Sequence, residues 1–270
     1  MTTPGRGDPL IGDPPVVVVV GGVDPGGGAG LLRDVATATA LGARAHSVET
    51  AWTEQGPGLH RVRPRAPDAV RVALAEALVA LRPAAVKIGM AVGPATSAAL
   101  IDALGDYAGP VVVDPVLATS RGGALWAAEP RELLPLLRRA TLVTPNSIEA
   151  ASLSGRALAT ADDAERAGRW LIEAEQLRAV LVKGGHLLGE LGHSGGTVVD
   201  VLVTGAGAER FSRPRTPGPS PRGTGCALAT AIALKLGSGR SLSEAVGEAS
   251  AWLAALIAAP VTVGDERHLS

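Results

Sequence analysis

The sequence is poor in cysteine, in aromatic residues and in net charge. Its single cysteine, Cys226, excludes an intrachain disulfide and a metal cluster built on thiolates. Aromatic residues make up only 2% of the chain, so side chains on which nucleic-acid bases could stack are scarce. The 25 basic and 26 acidic residues give a net charge of -1, which provides no basic surface for a phosphate backbone. Nucleic-acid binding is therefore disfavoured, and a reducing, cytoplasmic environment is favoured.

The chain also has none of the long apolar segments that membrane targeting requires. Residues 1–15 contain no apolar stretch of the signal-peptide type and are predicted to form a flexible N-terminal tail. Gly, Pro or charged residues interrupt every apolar run before the roughly 18 residues of a membrane span, so no membrane partner is expected. Because 46% of the residues are hydrophobic, the chain can bury a large core. We expect one domain over residues 16–258, followed by a C-terminal tail at 259–270.

Short valine-rich segments alternate with longer Ala- and Leu-rich segments of helical period. This alternation predicts an α/β fold with a mostly parallel central sheet, because strands buried on both faces are nearly continuous in apolar residues. The predicted strands cover residues 16–20, 85–88, 111–113, 141–143 and 179–182, with a further candidate at 198–203.

Several helix starts are recognisable from capping residues. Thr160 with Asp163, and Ser241 with Glu244, place a carboxylate three residues after a hydroxyl, as in a capping box. Pro130 suits the first turn of a helix. Residues 66–82 form an amphipathic helix in this interpretation, with a stripe of Val70, Leu74, Leu78 and Leu81 facing the sheet.

Glycine or polar residues occur at the end of each of the five clearest strands. They are found at residues 21–25, 87–90, 114–115, 144–146 and 183–186. Ligands of open α/β sheets bind beyond the carboxyl ends of the strands, so these residues are predicted to form one site. Turn and capping chemistry explains any single one of them equally well.

Two of the three lysines, Lys87 and Lys183, lie at or near strand ends. This placement indicates anion binding, and more strongly for Lys183. A lysine whose stem lies on apolar surface while its ammonium reaches solvent is the alternative, and it suits Lys87 better.

Two glycine-rich loops stand out. The first, residues 21–30, lacks the spacing of a dinucleotide-binding turn, and no Gly-Lys-Ser/Thr of a P-loop occurs in the chain. The second consists of Gly223, Thr224, Gly225 and Cys226, followed by a helix predicted at 227–236. Small residues there expose N–H groups and the positive end of the helix dipole, which suits a phosphate or a transferred phosphoryl group. The positive electrostatic field of the helix start is expected to lower the pKa of the Cys226 thiol and to make Cys226 a base or nucleophile. The alternative is that Cys226 is simply a small core residue.

Asn146 and Glu149 lie three residues apart at a predicted helix start. An amide and a carboxylate on one face can reach a hydrated Mg²⁺ or its phosphate ligands. A capping box accounts for the same pair. The five histidines show no ligand spacing, so a zinc site is not expected.

Together these segments resemble the hydroxymethylpyrimidine/phosphomethylpyrimidine kinases of thiamine biosynthesis, in the ribokinase-like superfamily. The matching motifs are GGVDPGGGAG at Gly21, TAWTEQ at Thr50, VKIGM at Val86, VVVDPV at Val111, LVTPNSIEA at Leu142, VLVKGGH at Val180 and RGTGCALATAIA at Arg222. The resemblance implies a ribokinase-like α/β/α sandwich, ATP and Mg²⁺ as cofactors, and phosphoryl transfer to a substituted pyrimidine or its monophosphate. It also makes a homodimer the default.

The resemblance assigns a role to each matching residue. Asp24 and Gln55 match residues that hold the pyrimidine, with Gly22, Met90 and Val116 as neighbouring walls. Asp114, Asn146 and Glu149 match the Mg²⁺ and ATP region, with Mg²⁺ near Asp114 and Glu149. Lys183 matches the lysine near the ATP phosphates, and Gly223, Thr224, Gly225 and Cys226 match the catalytic anion hole.

The chain departs from the family pattern mainly around the presumed pyrimidine pocket. The altered positions are Val23, Gly26, Trp52, the segment 54–57, Arg222 and Ala227, and Trp52 could narrow the pocket. Two alternatives to a thiamine-pathway kinase follow: a pyridoxal or pyridoxine kinase of the same fold, and a pyrimidine-binding relative that no longer transfers phosphate. Retention of Lys183, Asn146 and Glu149 argues against the non-catalytic alternative.

Overall fold

A computed structural model describes residues 14–56, 59–119, 123–186, 196–218, 220–263 and 266–269. In chain order the elements are β1 (Val16–Val23), α1 (Gly30–Ala40), β2 (Arg44–Gly56), β3 (Leu59–Pro64), α2 (Pro67–Leu81), β4 (Ala85–Ile88), α3 (Pro94–Leu104), β5 (Val111–Val113), α4 (Leu134–Leu137), β6 (Leu142–Val143), α5 (Ser147–Ser154), α6 (Ala161–Glu175), β7 (Ala179–Val182), β8 (Thr197–Thr204), β9 (Gly207–Pro214), α7 (Thr224–Gly237), α8 (Leu242–Ala258), β10 (Val261–Val263) and β11 (Glu266–His268). Short 3-10 turns occur at Pro130–Leu133 and Gly184–His186.

Within these ranges nine strands form one sheet in the order β3-β2-β1-β4-β5-β6-β7-β8-β9. Strands β2, β1, β4, β5, β6 and β7 are parallel to one another. Antiparallel strands complete both edges, with β3 beside β2 and the pair β8–β9 beside β7. The carboxyl ends of six parallel strands therefore open on one side of the sheet, where ligand sites of such folds form.

Helices cover both faces of the sheet. Val18 and Val20 of β1 belong to the core beneath α2, α3, α4, α5 and α6, whereas Val17 and Val19 belong to the core beneath α1, α7 and α8. Alternate residues of one strand thus enter opposite cores, which is why buried parallel strands are apolar throughout. The expected α/β/α sandwich is confirmed. No helix among the described residues is long and apolar enough to cross a bilayer.

The buried strands lie where the sequence predicts them. Strands β4, β5 and β7 have the predicted bounds, β6 begins one residue later, and β8 confirms the further candidate. Strand β1 continues to Val23, three residues beyond its predicted end. Strands β2, β3 and β9 are additional, and their many polar residues explain why an apolar run did not reveal them.

Both predicted capping boxes are present. The Thr160 and Ser241 hydroxyls accept hydrogen bonds from the N–H groups of Asp163 and Glu244, respectively. Pro130 starts a 3-10 turn rather than an α-helix. Helix α2 buries Val70 and Leu74 as expected, but the prediction for Leu81 is wrong: it is exposed at the last turn, and the buried stripe continues at Ala77.

The C-terminal residues contact the core. Strands β10 and β11 pair in antiparallel fashion inside the segment expected to be a tail, and Leu269 packs in the core beneath α7. The N–H of Arg222 donates to the carbonyl of Arg267 at 3.0 Å. The C-terminal hairpin is therefore attached to the residue that precedes the α7 glycine loop.

Candidate active site

The carboxyl ends of β5, β6 and β7 bring three polar side chains together. Lys183 donates from Nζ to Oδ1 of Asp114 at 2.6 Å, and the Thr144 hydroxyl donates to the same oxygen at 3.0 Å. Both Asp114 and Thr144 are buried. Burial lowers the pKa of Lys183, but the carboxylates of Asp114 and Glu149 outweigh it, so the net shift is upward and the ammonium is charged at neutral pH.

The first turn of α7 lies against this ion pair. A Cβ built on Gly225 would be 3.2 Å from Lys183 Nζ and 3.4 Å from Asp114 Oδ2. Gly223 begins the helix with φ at +77°, in the left-handed region that favours glycine. The free N–H groups of the helix start and the Lys183 ammonium thus converge, as the sequence predicts for an anion pocket.

Asn146 and Glu149 form the capping box of α5. Asn146 Oδ1 accepts from the N–H groups of Ile148 and Glu149 at 2.9 Å each, and Glu149 Oε2 accepts from the Asn146 N–H at 2.7 Å. Glu149 also lies in the field of Lys183 and Asp114. Burial raises the pKa of Glu149 to about 7; Lys183 opposes this shift and Asp114 adds to it. Glu149 therefore caps α5 and at the same time lies beside the Lys183–Asp114 ion pair.

Two carboxylates beside one pocket fit a magnesium ion. Mg²⁺ is held in phosphate-transfer sites by one or two carboxylates, with phosphate oxygens and water completing the octahedron. Asp114 and Glu149 supply two carboxylates, and the raised pKa of Glu149 reflects a buried negative charge that a divalent cation would stabilise.

The predicted walls of the pyrimidine pocket come together. Met90 belongs to an apolar cluster with Ala51, Val92 and Leu125, against which Val116 packs. A Cβ on Gly22 would lie 2.7 Å from the Met90 sulfur, so Gly22 and Met90 are in close contact and a larger residue at position 22 would displace the methionine side chain. Val92 has φ at +64°, an unfavourable conformation for a β-branched residue.

Gln55 and Trp52, two further residues near the predicted pocket, both lie in β2. Gln55 lies in β2 opposite His60, and its side chain is outside the described part of the structure. Trp52 pairs with Val23 across β1 and β2 and is 43% exposed. Trp52 is not a member of the apolar cluster around Met90, so the structure gives no sign that it narrows this pocket.

Asp24 is engaged within the protein. Its carboxylate accepts from the N–H groups of Gly26 and Ala29 at 3.1 Å each, and from Arg222 Nη2 at 2.9 Å. These bonds hold the loop after β1 against the residue before α7. Contact between Asp24 and a pyrimidine stays a prediction.

Lys87 is a buried ion-pair partner rather than a solvent-reaching lysine. Its side chain is 1% exposed, and Nζ donates to both oxygens of fully buried Asp34, at 2.9 and 2.7 Å. Thr230 of α7 donates to Asp34 as well, at 2.8 Å. Burial lowers the pKa of the Lys87 ammonium, but Asp34, Cys226 and Asp114 outweigh it and the net shift is upward. The pair therefore ties β4, α1 and α7 together.

Replacing Lys87 with methionine is expected to reduce the free energy of unfolding by about 3–5 kcal/mol, because the Asp34 carboxylate would remain buried without its counter-charge. Urea denaturation measures this loss. Lys235→Met is the matched control: its ion pair with Glu248 is at the surface, and we expect a change of about 1 kcal/mol or less. A loss in Lys87→Met as small as in the control would contradict a charged buried pair.

The expected direction of the Cys226 pKa is wrong. Burial raises the pKa of the thiol, and Lys87, although it opposes the shift, does not reverse it. The positive helix end does not compensate for the loss of water around the sulfur. Cys226 therefore lies in the anion pocket chiefly as a neutral thiol at neutral pH.

Sequence reasoning missed Arg33, Asp34 and Val92. Arg33 and Asp34 are adjacent in α1 and both buried, although an Arg-Asp pair in a helix is typical of a solvent-facing surface. The one available signal was their position directly after the first glycine loop. Nothing in the sequence marks Val92 as strained.

Comparison with known proteins gives a consistent result. The model of a family described as phosphomethylpyrimidine kinase matches residues 24–269. A hydroxymethylpyrimidine/phosphomethylpyrimidine kinase from Rhizobium meliloti (strain 1021) is 39% identical over 251 residues, which cover 90% of this chain and 91% of that protein. A phosphomethylpyrimidine kinase structure from Clostridium difficile 630 matches with a TM-score of 0.75 and 30% identity, over 88% of this chain and 97% of that one. A pyridoxal kinase from Staphylococcus aureus, solved with ADP, matches with a TM-score of 0.84 and 26% identity, over 96% of this chain and 93% of that one.

Proposed function

Because this chain belongs to the phosphomethylpyrimidine kinase family, the phosphotransferases of thiamine biosynthesis, we propose that it transfers the γ-phosphoryl group of ATP to 4-amino-5-hydroxymethyl-2-methylpyrimidine, to its monophosphate, or to both. The observation that carries the proposal is the meeting of the Lys183–Asp114 pair with the first turn of α7 at Gly225. A fixed cation and a helix N-terminus stabilise the charge that develops on a transferred phosphoryl group.

The chemistry divides among a few groups. An acceptor oxygen attacks the γ-phosphorus, the bond between that phosphorus and the bridging oxygen breaks, and ADP leaves. Lys183 lies beside the phosphates, and the N–H groups at Gly223, Thr224, Gly225 and Cys226 receive the transferred group. Asp114 and Glu149 would hold Mg²⁺, with Asn146 fixing Glu149, and the ion would neutralise charge on the phosphate oxygens. The apolar cluster around Met90 would exclude water from the pyrimidine, which Asp24 and Gln55 are proposed to hold.

Cys226 is the proposed base when the acceptor is a hydroxyl group, whose proton must be removed during transfer. Cys226→Ala is expected to lower kcat with hydroxymethylpyrimidine by roughly 10²-fold or more. The effect on the monophosphate should be much smaller, because a phosphate ester has its second pKa near 6 and needs no base at neutral pH.

The pH dependence follows from the raised pKa of the Cys226 thiol. With hydroxymethylpyrimidine, kcat should rise with pH as more thiolate forms. The rise should extend above the pH at which an ordinary cysteine thiol ionises, and it should be absent in Cys226→Ala. Steady-state rates with each acceptor at several pH values measure both effects. If Cys226→Ala keeps the wild-type rate and pH profile, Cys226 is not the base and only its backbone N–H has a role.

The identity of the acceptor is tested by measuring ADP release from ATP in the presence of Mg²⁺. The reaction is run separately with hydroxymethylpyrimidine, its monophosphate, pyridoxal or pyridoxine, and once without an acceptor. Mass spectrometry identifies the products. Turnover of either pyrimidine supports the proposal. Turnover of pyridoxal or pyridoxine alone would favour the alternative that the pyridoxal kinase likeness supports. ATP or pyrimidine binding without turnover of any acceptor would indicate a non-catalytic relative.

We also propose that the protein is a cytoplasmic homodimer, on the family resemblance and on the lack of disulfides. A half-exposed tryptophan, Trp52, is compatible with a partner surface. Sedimentation velocity should give twice the mass of one chain; a monomer over the micromolar range would contradict the dimer.

A further inference from the structure

A buried carboxylate interrupts the apolar strand β8. Asp200 is 2% exposed and lies in the middle of an otherwise valine-rich run. An apolar residue would serve the packing of the strand better, because burying a carboxylate costs free energy unless hydrogen bonds compensate for it. Burial accordingly raises the pKa of Asp200, and Arg213, the Gly184 N–H and Lys183 oppose this shift without reversing it. A carboxylate at this position therefore indicates a specific partner.

Asp200 lies across the sheet from Lys183. Strands β7 and β8 pair with Leu181 opposite Leu202, and the same register continued by two residues puts Lys183 opposite Asp200. Residues two apart in a strand lie on the same face of a sheet. For Lys183 and Asp200 this is the face beneath α7, because Leu181 and Leu202 both belong to the core beneath α1, α7 and α8.

The Asp200 carboxylate holds the backbone that follows Lys183. Its Oδ1 accepts a buried hydrogen bond from the Gly184 N–H at 2.7 Å. Gly184 lies so close to β8 that a Cβ on it would be 1.9 Å from the carbonyl oxygen of Val199. On the other side, the Lys183 N–H donates to the carbonyl of Pro145 at 2.8 Å. The peptide units on both sides of the Lys183 Cα are therefore fixed.

These two peptide units set the direction in which the Lys183 side chain leaves the strand. The side chain is 14% exposed, and its Nζ reaches Asp114 at 2.6 Å and the first turn of α7 at Gly225. Without the Asp200 acceptor, the Gly184 N–H would be buried and unpaired, which costs free energy that a shift of the backbone would relieve. Such a shift would move the ammonium away from the first turn of α7.

We propose that Asp200 is a positioning residue for phosphoryl transfer: by holding the Gly184 N–H, it keeps the Lys183 ammonium directed at the ATP phosphates beside the first turn of α7. This inference rests on the proposed function, which puts Lys183 at those phosphates. Asp200 acts as a hydrogen-bond acceptor, and its action passes through Lys183. An amide at position 200 therefore preserves function, and loss of Asp200 has no further effect when Lys183 is absent.

The test is a double-mutant cycle on kcat, measured at saturating ATP with whichever pyrimidine the wild type phosphorylates faster. Asp200→Val, which suits a buried strand, should lower kcat by roughly 10-fold to 100-fold, because small displacements of catalytic groups are costly. Asp200→Asn still accepts the N–H and should stay within about threefold of the wild type. In the Lys183→Met background, Asp200→Val should change kcat by less than about twofold. Asp200→Ala is the second variant if Asp200→Val folds poorly.

Glu175→Ala is the matched control. Glu175 is also a buried carboxylate, paired with Arg138 at 3.0 Å, but it lies before the amino end of β7, whereas Lys183 follows the carboxyl end. Its kcat should stay within about twofold of the wild type, because distant sites act independently. Equal decreases in Asp200→Val and Glu175→Ala would overturn the role of Asp200. The same decrease with and without Lys183, or an Asp200→Asn as impaired as Asp200→Val, would overturn it as well.

Failure of the proposed function is recognised separately. If the wild type phosphorylates neither pyrimidine, the proposed function fails, and the same cycle is then measured by calorimetric titration with Mg²⁺ and the ATP analogue AMP-PCP. Asp200→Val should weaken binding by roughly fivefold or more when Lys183 is present, and should leave it unchanged in the Lys183→Met background. Equal affinities of the wild type and Asp200→Val would contradict a positioning role.

Discussion

Replacing Lys183 with methionine is expected to lower kcat by roughly 10²–10³-fold. The substitution removes a cation that lies against both the Asp114 carboxylate and the first turn of α7. Phosphoryl transfer depends mostly on positioning and on charge stabilisation, so the loss should appear in kcat for every acceptor. Steady-state kinetics at saturating ATP, with the monophosphate and with the free hydroxymethyl compound, measure the effect.

Lys235→Met is the matched control for Lys183→Met. Lys235 also pairs with a carboxylate, that of Glu248, but this pair joins the last turn of α7 to α8 at the protein surface. Its kcat should stay within about twofold of the wild type, since surface pairs contribute little beyond their own contact. A Lys183→Met enzyme with nearly wild-type kcat would show that this lysine does not face the transferred phosphoryl group.

Gly223→Ala is expected to produce the second large effect, on both activity and stability. A Cβ at this position would lie 2.2 Å from the carbonyl oxygen of Gly28, so the loop after β1 must move away from the helix start. Displacement of reacting groups by about 1 Å commonly reduces rates by roughly 10²-fold, and kcat/KM should fall by at least that factor. Thermal or urea unfolding should show a loss of about 1–3 kcal/mol.

Gly239→Ala is the control that separates the effect of the close approach between Gly223 and Gly28 from the energetic cost of placing alanine in a left-handed backbone conformation. Gly239 has φ at +86°, close to the +77° of Gly223, but a Cβ there would meet no atom within 4 Å. The control should therefore lose about 1–2 kcal/mol of stability and keep its kcat/KM. If both alanine variants lose only stability, the close approach of Gly28 to Gly223 has no part in forming the anion pocket.

The buried half of the fold could be predicted from the sequence because burial on both faces leaves an unambiguous signal. Strands β4, β5 and β7 are short apolar segments ended by polar residues or glycine, and their predicted bounds are those observed. Strands β2 and β9 carry Arg, Glu and His on exposed positions, so neither a continuous nor an alternating apolar pattern marks them. Strands at and next to the edges of the sheet are specified largely by pairing with their neighbours, which one sequence does not display.

The sequence predicts those parts of the site that the order of the parallel strands brings together. Asp114, Thr144 and Lys183 end adjacent parallel strands, so their meeting follows from the strand order. The environment of Lys87 could not be predicted, because its partner Asp34 comes from a helix distant in sequence. How deeply a residue is buried depends on the tertiary structure, which local sequence does not reveal. For Cys226, burial raises the pKa of the thiol, although the positive end of α7 would lower it.

Phosphorus NMR of the complete reaction tests the central claim most directly. The protein would be incubated with ATP, Mg²⁺ and either hydroxymethylpyrimidine or its monophosphate, and the phosphorus signals followed with time. Our account predicts that, with at least one of the two acceptors, ATP signals decay to ADP while an equal amount of a new phosphate or diphosphate ester, bonded to the pyrimidine, accumulates. Release of inorganic phosphate without a new pyrimidine ester, or no change in any signal, with both acceptors would contradict phosphoryl transfer to a pyrimidine.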